Sequence, residues 1–173
     1  MEEKKKTFLK ELRNYIIILL SKNLTISEKM KKEDEKFNLK CQTLLSITLK
    51  DLKIDPINVS EKQLELAKKY IKKMDEEKYY ITILNYFLQV IDIIVKMIQF
   101  NTGKSDSSIE DFLPIIVYLI IQSLPNNMIS NLQLSKYFIN QNDLNSMYGY
   151  TLANYETCIN FLNNLNFNVN NME

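Results

Sequence analysis

Two adjacent carboxylates, Glu110 and Asp111, stand at the start of the most hydrophobic helix that the sequence predicts. Ser107 lies three residues before Glu110, and Ser108 lies three residues before Asp111, which is the spacing of a capping box. A carboxylate in the first turn also interacts favourably with the positive end of the helix dipole. The spacing therefore predicts a helix N-terminus that meets the surface with two negative charges.

The helix that follows this pair, predicted over about residues 110–124, is apolar on every side. Pro114 is expected in its first turn, where the missing N–H of proline costs no hydrogen bond. A helix without a polar face must be enclosed by other helices. The sequence therefore predicts an all-α fold, a layered helical bundle around this buried central helix.

Apolar residues spaced three and four apart predict the other helices, and only two glycines and three prolines interrupt the chain. A capping box is expected at Ser60, and residues 140–149 are expected to be irregular. The helices are predicted over residues 4–20, 27–50, 60–74, 81–98, 131–138 and 152–162. We divide the chain into an N-terminal helical segment packing on the core (1–55), a core (56–165) and a disordered tail (166–173).

The composition excludes several kinds of chemistry. The chain has no histidine, which excludes Ser-His triads and histidine metal sites. Cys41 and Cys158 lack metal-ligand spacing and are predicted to be buried free thiols. Residues 102–105 read Thr-Gly-Lys-Ser, but a phosphate-binding loop needs a glycine where Ile98 stands. No metal, cofactor or nucleotide site is predicted.

Charge and hydropathy limit the partners. The net charge of +1 gives no nucleic-acid signature, although residues 101–173 are acidic, with 2 basic and 6 acidic side chains. The run Lys4–Lys6 is interpreted as a solvated helix face, with a membrane anchor as the alternative. No uninterrupted apolar run approaches the roughly 18 residues of a membrane span, and the N-terminus does not resemble a signal peptide. A cytoplasmic location is expected.

Several short motifs together resemble the vacuolar protein sorting 9 domain. They are Glu-Asp-Phe-Leu-Pro-Ile-Ile-Val-Tyr at 110–118, Pro125, Ser-Asn-Leu-Gln at 130–133, and Gly-Tyr-Thr-Leu-Ala-Asn-Tyr-Glu at 149–156. The lysine-led helix over residues 78–99 resembles the one that precedes the acidic motif in that family. The resemblance extends over about residues 60–165.

The resemblance implies guanine-nucleotide exchange on a small Rab-family GTPase of the early-endosomal type, without bond-making chemistry. Glu110 would pair with the lysine that holds the phosphates in the GTPase, and Tyr150 would support that contact. Asp111 is the candidate acid if the register is shifted by one. A carboxylate shielded from water at an interface can make such a charge-assisted hydrogen bond.

The resemblance further implies that the GTPase contacts Asp111, Pro114, Asn131, Gly149 and Ala153. The family has aspartate where this chain has Glu110 and threonine where it has Ala153. Asn131 is alternatively a helix N-cap. The expected partner is the GTPase, with at most peripheral association with endosomal membranes and no nucleic acid. The alternative functions are a divergent, catalytically weak GTPase-binding module and a plain helical interaction scaffold.

Overall fold

The computed structural model describes residues 2–23, 26–103 and 105–165, and every regular element in these ranges is helical. The all-α prediction is confirmed. A short 3-10 helix, Pro56–Asn58, precedes α3. The proposed tail (166–173) and Lys104 lie outside the described residues. The α-helices are α1 (Glu2–Asn23), α2 (Glu28–Thr43), α3 (Glu61–Glu76), α4 (Tyr80–Thr102), α5 (Ile109–Ser123), α6 (Met128–Phe138), α7 (Gln141–Leu144) and α8 (Met147–Asn164).

Helices α4 and α5 together form the centre of the molecule. Helix α5 packs against α2, α3, α4 and α8, and α4 packs against α3, α5, α6 and α8. The prediction of a buried central helix, made from its uniform apolar character, is therefore confirmed for α5. Helix α4 lies beside it at the centre. The buried residues of α5 are Phe112, Ile115, Ile116, Val117, Leu119, Ile120 and Ile121.

Helix α4 differs from the sequence analysis in one respect. Its 23 residues are long and apolar enough, by length and composition alone, to cross a membrane, whereas no such segment was predicted. The helix also contains Asp92 and Lys96, which interrupt the apolar run in the sequence. Nine of its residues are buried, and four other helices pack against it. These neighbours give α4 the surroundings of a core helix.

An aromatic contact fixes α8 against the centre. The rings of Phe87 in α4 and Tyr155 in α8 stack with centroids 4.6 Å apart, and both side chains are fully buried. The Tyr155 hydroxyl donates a hydrogen bond to the carbonyl oxygen of Met128, 2.9 Å away at the start of α6. Burial raises the pKa of this hydroxyl well above its usual value. One side chain thus joins α4, α6 and α8.

The start of α6 is held by a buried carboxylate from α2. Asp34 Oδ1 accepts hydrogen bonds from the backbone N–H groups of Ile129 and Ser130, at 2.7 and 3.1 Å. These groups belong to the first turn of α6, whose N–H groups have no partner within the helix. Burial raises the pKa of Asp34, and the hydrogen bonds from Ser130 and Ile129 partly offset that effect. Asp34 therefore caps a helix that is distant from it in sequence.

Asp75 at the end of α3 holds the turn just before α6. Its Oδ2 accepts from the backbone N–H of Asn126 at 2.8 Å, and its Oδ1 accepts from that of Asn127 at 3.0 Å. Burial also raises the pKa of Asp75. The two carboxylates differ, because Asp75 uses both oxygens for backbone groups whereas Asp34 uses one.

We expect Asp34→Ala to lower the free energy of unfolding by about 2–3 kcal/mol, because it leaves one buried and one partly buried N–H group without an acceptor. Asp34→Asn should cost less than about 1 kcal/mol, since one amide oxygen can still accept both bonds. Asp75→Asn should cost more than Asp34→Asn, because its amide NH₂ would face a backbone N–H. Urea unfolding measures all three. Equal losses for Asp34→Asn and Asp34→Ala would contradict the capping role.

Helix α2 ends at Thr43, although a helix was predicted through residue 50. In the following turn, the carboxylate of Asp51 accepts hydrogen bonds from the backbone N–H and the hydroxyl of Thr48, at 2.8 and 2.7 Å. Such local bonds from side chain to backbone compete with helix formation. The segment still contributes buried side chains to the core, which explains its apolar spacing. These are Leu44, Ile47, Leu52 and Ile54.

Helix α3 begins after Ser60 as predicted, but the Ser60 side chain makes no capping hydrogen bond. Two other boundaries differ from prediction. Helix α6 begins at Met128, three residues earlier than predicted, because Asp34 caps it from outside the segment. The interval predicted to be irregular contains α7 and the start of α8. Its asparagine and serine side chains form the caps, with Asn140 before α7 and Ser146 before α8.

The apolar stripe predicted on α1 faces away from the core. Among the described side chains of α1, Ile17 alone is buried, and Arg13 donates a hydrogen bond to the carbonyl oxygen of Phe138 at 2.8 Å. Periodicity predicts that a helix has an apolar stripe but does not indicate what covers it. The exposed residues of the stripe are Phe8, Leu12, Tyr15, Ile16 and Leu19, with exposed fractions from 42% to 62%.

Candidate functional site

The two acids at the start of α5 have different surroundings. Asp111 Oδ2 accepts hydrogen bonds from the backbone N–H and the hydroxyl of Ser108, at 2.8 and 2.9 Å. Of the two capping pairs allowed by spacing, the structure therefore contains Ser108 with Asp111. Glu110 is exposed, and its carboxylate has no hydrogen bond or ion pair with any described residue. Glu110 is thus the acid of the pair that is available to a partner.

Pro114 is the sixth residue of α5, in the second turn and not in the first as predicted. At this position an α-helix would form a hydrogen bond from residue 114 to the carbonyl of Glu110, and proline has no N–H to donate. The helix nevertheless continues through Pro114 to Ser123. The backbone just after Glu110 therefore lacks one of its regular hydrogen bonds.

One face of α5 continues from Glu110 towards its C-terminus. Pro114 and Tyr118 follow at intervals of four residues, so the three share a face of the helix. Pro114 and Tyr118 are half-buried. Tyr118 was not predicted as a site residue, although the same spacing of four in the sequence could have indicated it. We call these three residues the α5 face.

Gly149 and Tyr150 lie inside the first turn of α8, which begins at Met147, and not in a turn before the helix. A Cβ atom on Gly149 would lie 1.8 Å from the carbonyl oxygen of Leu144, so only glycine fits there. The Asn154 side chain donates a hydrogen bond to the carbonyl oxygen of Tyr150 at 2.8 Å. The Tyr150 side chain itself is 48% exposed. Close backbone packing therefore fixes the position of an exposed phenol.

Ala153 and Thr157 follow Tyr150 at intervals of three and four residues, on the same side of α8. Ala153 is exposed and Thr157 is half-buried. We call Tyr150, Ala153 and Thr157 the α8 face. Helices α5 and α8 pack against each other, but no hydrogen bond joins the described side chains of Glu110 and Tyr150. The structure thus places the predicted acid and phenol on neighbouring helices and not in direct hydrogen-bond contact.

Asn131 has an internal role. It is 5% exposed within α6, and its side chain donates a hydrogen bond to the carbonyl oxygen of Met74 at 2.7 Å. The N-cap alternative is wrong, because Asn127 occupies that position. Asn131 also lines a surface depression of about 300 Å³ beside Ser130 and Asp75. Contact with a partner stays a prediction, and the hydrogen bond to Met74 indicates that Asn131 positions α6.

The exposed groups on these two helices suit binding. The carboxylate of Glu110 can pair with a cation, and the phenol and apolar side chains can contact apolar surface. In the described ranges, no three cysteine, aspartate or glutamate side chains come together as a metal site would require. Both cysteines are buried free thiols, as predicted, and burial raises the pKa of Cys41 to about 12.

The chain matches a known protein family. A family model described as the vacuolar sorting protein 9 (VPS9) domain matches residues 64–167. This range includes α4, α5, α6 and α8, and every motif on which the resemblance in the sequence rests. No curated protein was found to match the chain.

Proposed function

Because the chain belongs to the VPS9 domain family, whose domains are Rab guanine-nucleotide exchange factors, we propose that it releases nucleotide from a Rab GTPase of the early-endosomal type. The observation that carries the proposal is the state of the acid pair. Asp111 caps α5, whereas the Glu110 carboxylate is exposed and has no partner among the described residues. The protein would act in the cytoplasm, associated at most peripherally with endosomes.

In the proposed mechanism, Glu110 enters the nucleotide site of the GTPase and pairs with the lysine that otherwise holds the phosphates. Such a charge-assisted hydrogen bond is stronger at an interface shielded from water than in solvent. The carboxylate and the phosphates compete for the same lysine. Thermodynamic linkage then requires that tight binding to the empty GTPase weakens nucleotide binding by the same factor.

The other predicted residues shape the surface around this acid. The α5 and α8 faces supply apolar contact, with Pro114 beside the acid and Tyr150 supporting it from the neighbouring helix. Gly149 allows the close approach that positions Tyr150. Asp111 and Asn131 position α5 and α6 through their internal hydrogen bonds. No bond is made or broken in this mechanism.

The proposal is tested by release of a fluorescent guanine nucleotide from a panel of purified Rab GTPases. Accelerated release from early-endosomal members supports exchange. Binding to the nucleotide-free GTPase without accelerated release supports the divergent binding module. Two departures from the family pattern favour this alternative, namely Glu110 in place of aspartate and Ala153 in place of threonine. If the protein binds no member of the panel, the helical interaction scaffold is the remaining alternative.

We expect Glu110→Asp to raise the exchange rate, because the family has aspartate here and the shorter side chain brings the lysine closer to α5. Folding should be unaffected, since the Glu110 side chain is exposed and unpaired in the described structure. Nucleotide release under single-turnover conditions measures the change. An unchanged or lower rate would indicate that the backbone around Pro114 is adapted to the longer side chain.

A further inference from the structure

The outward stripe of α1 is an exposed apolar feature that the proposed function leaves without a role. Phe8, Leu12, Tyr15 and Leu19 follow one another at intervals of four, three and four residues, which places them along one side of the helix. Each is at least 42% exposed. Arg13 and Ile17 attach the opposite side of α1 to the core. An exposed apolar stripe of this kind marks an interaction surface.

Basic side chains accompany the stripe at its N-terminal end. Lys4 and Lys5 precede Phe8 by four and three residues, so they lie on the same side of α1, one turn earlier. Lys4, Lys5, Lys6 and Lys10 are exposed and have no ion-pair partner among the described residues. Three acids, Glu2, Glu3 and Glu11, belong to the same part of α1. Four lysines against three acids leave the first three turns with a net charge of +1, and the two lysines on the side of the stripe complement an anionic surface.

We propose that α1 binds the surface of membranes that contain anionic lipids. An amphipathic helix lies in the plane of such a surface, with its apolar side among the acyl chains and its lysines at the headgroups. The lysine run was interpreted from sequence as a solvated face, and the outward apolar stripe reverses that interpretation. This inference does not depend on the proposed exchange activity, because lipid binding needs no GTPase.

A second copy of the chain fits the stripe less well than a lipid surface. Phe8 to Leu19 covers less than two heptads, whereas a coiled coil needs about three or four. The lysines one turn before Phe8 would also face each other in a parallel pair and repel. A fluid bilayer needs no matching groove and attracts the same lysines. The charge therefore favours anionic lipid as the occupant.

The test is flotation of the full chain with vesicles of phosphatidylcholine alone or with about 30% phosphatidylserine. We expect binding to the anionic vesicles and at least about tenfold weaker binding to the neutral ones. Leu12→Ser combined with Leu19→Ser should reduce binding about tenfold or more. Leu45→Ser combined with Leu66→Ser is the matched control, because these leucines are 41% and 45% exposed on other segments, and it should retain binding.

Several results would overturn the proposal. They are no binding to anionic vesicles, equal binding by the Leu12/Leu19 variant, or a dimer in sedimentation that this variant converts to a monomer. The last result would make a second copy the occupant. Nucleotide release in solution without vesicles should be the same for this variant and the wild type. Loss of lipid binding is thereby separated from failure of the exchange activity, and circular dichroism melting checks that the variant folds.

Discussion

We expect Glu110→Ala to reduce exchange by roughly a hundredfold to several thousandfold, because in the proposed mechanism it removes the charge that replaces phosphate on the lysine of the GTPase. Truncating one member of a buried, hydrogen-bonded charge pair costs roughly 3–5 kcal/mol, which gives this range of rates. The free energy of unfolding should fall by less than about 1 kcal/mol, from the lost interaction with the helix dipole, since the side chain is exposed and unpaired among the described residues of the free protein. Nucleotide release and urea unfolding measure the two quantities.

Asp111→Ala is the matched control for this prediction, because it removes a carboxylate from the adjacent position. It removes the hydrogen bonds to Ser108 and should lower the free energy of unfolding by about 1 kcal/mol. Exchange should persist at a rate close to that of the wild type. If Asp111→Ala abolishes exchange and Glu110→Ala does not, the register is shifted by one and the assignment of the acid is wrong.

Gly149→Ala is expected to have the second largest effect, on both stability and exchange. The new Cβ would lie 1.8 Å from the carbonyl oxygen of Leu144, so the backbone between α7 and α8 must move. Overpacking of this kind costs about 2–3 kcal/mol. The adjacent Tyr150 would move with the backbone, and we expect exchange to fall at least about tenfold. Urea unfolding and nucleotide release, both at a temperature where the variant is folded, measure the result.

The other glycine provides the control. Gly103 ends α4 with a φ of 68°, and a Cβ atom there would meet nothing within 4 Å. Gly103→Ala should therefore cost about 1 kcal/mol from backbone strain alone and leave exchange unchanged. The two variants make the same chemical change, and Gly149 lacks the left-handed backbone of Gly103, so a larger loss at Gly149 is attributed to the contact with Leu144. Equal effects at the two positions would contradict the proposed positioning of Tyr150.

The helical class and the buried position of α5 could be predicted because both depend on local periodicity and on apolar character along the whole helix. Boundaries fixed by distant groups could not. Helix α6 begins earlier than predicted because Asp34 caps it from a position far away in sequence. The outward stripe of α1 was also unpredictable, since a hydrophobic pattern is the same whether core or solvent faces it. The division of the chain at residues 55 and 165 stays a prediction.

At the candidate site, the sequence indicated which acids and which tyrosine to consider but not how each is used. The capping spacing fitted both Ser107 with Glu110 and Ser108 with Asp111, and only the three-dimensional structure distinguishes them. The burial of Asn131 depends on its contact with Met74 at the end of α3, which no local pattern specifies. The spacing of Tyr118 from Glu110 could have indicated that it belongs to the site. It was not predicted as a site residue, because the whole helix was interpreted as buried.

The proline at position 114 has a mechanical consequence. Pro114 donates no N–H to the Glu110 carbonyl, so one hydrogen bond between the first turn of α5 and the rest of the helix is missing. We call residues 109–113 the tip of α5. We expect the tip to be more flexible than the remainder of α5. In the proposed mechanism, this flexibility would let Glu110 keep its contact with the lysine of the GTPase if that lysine moves. Pro114→Ala should stiffen the tip, and amide exchange should slow relative to the wild type at Phe112 and Leu113, the first residues of α5 whose N–H groups bond within the helix.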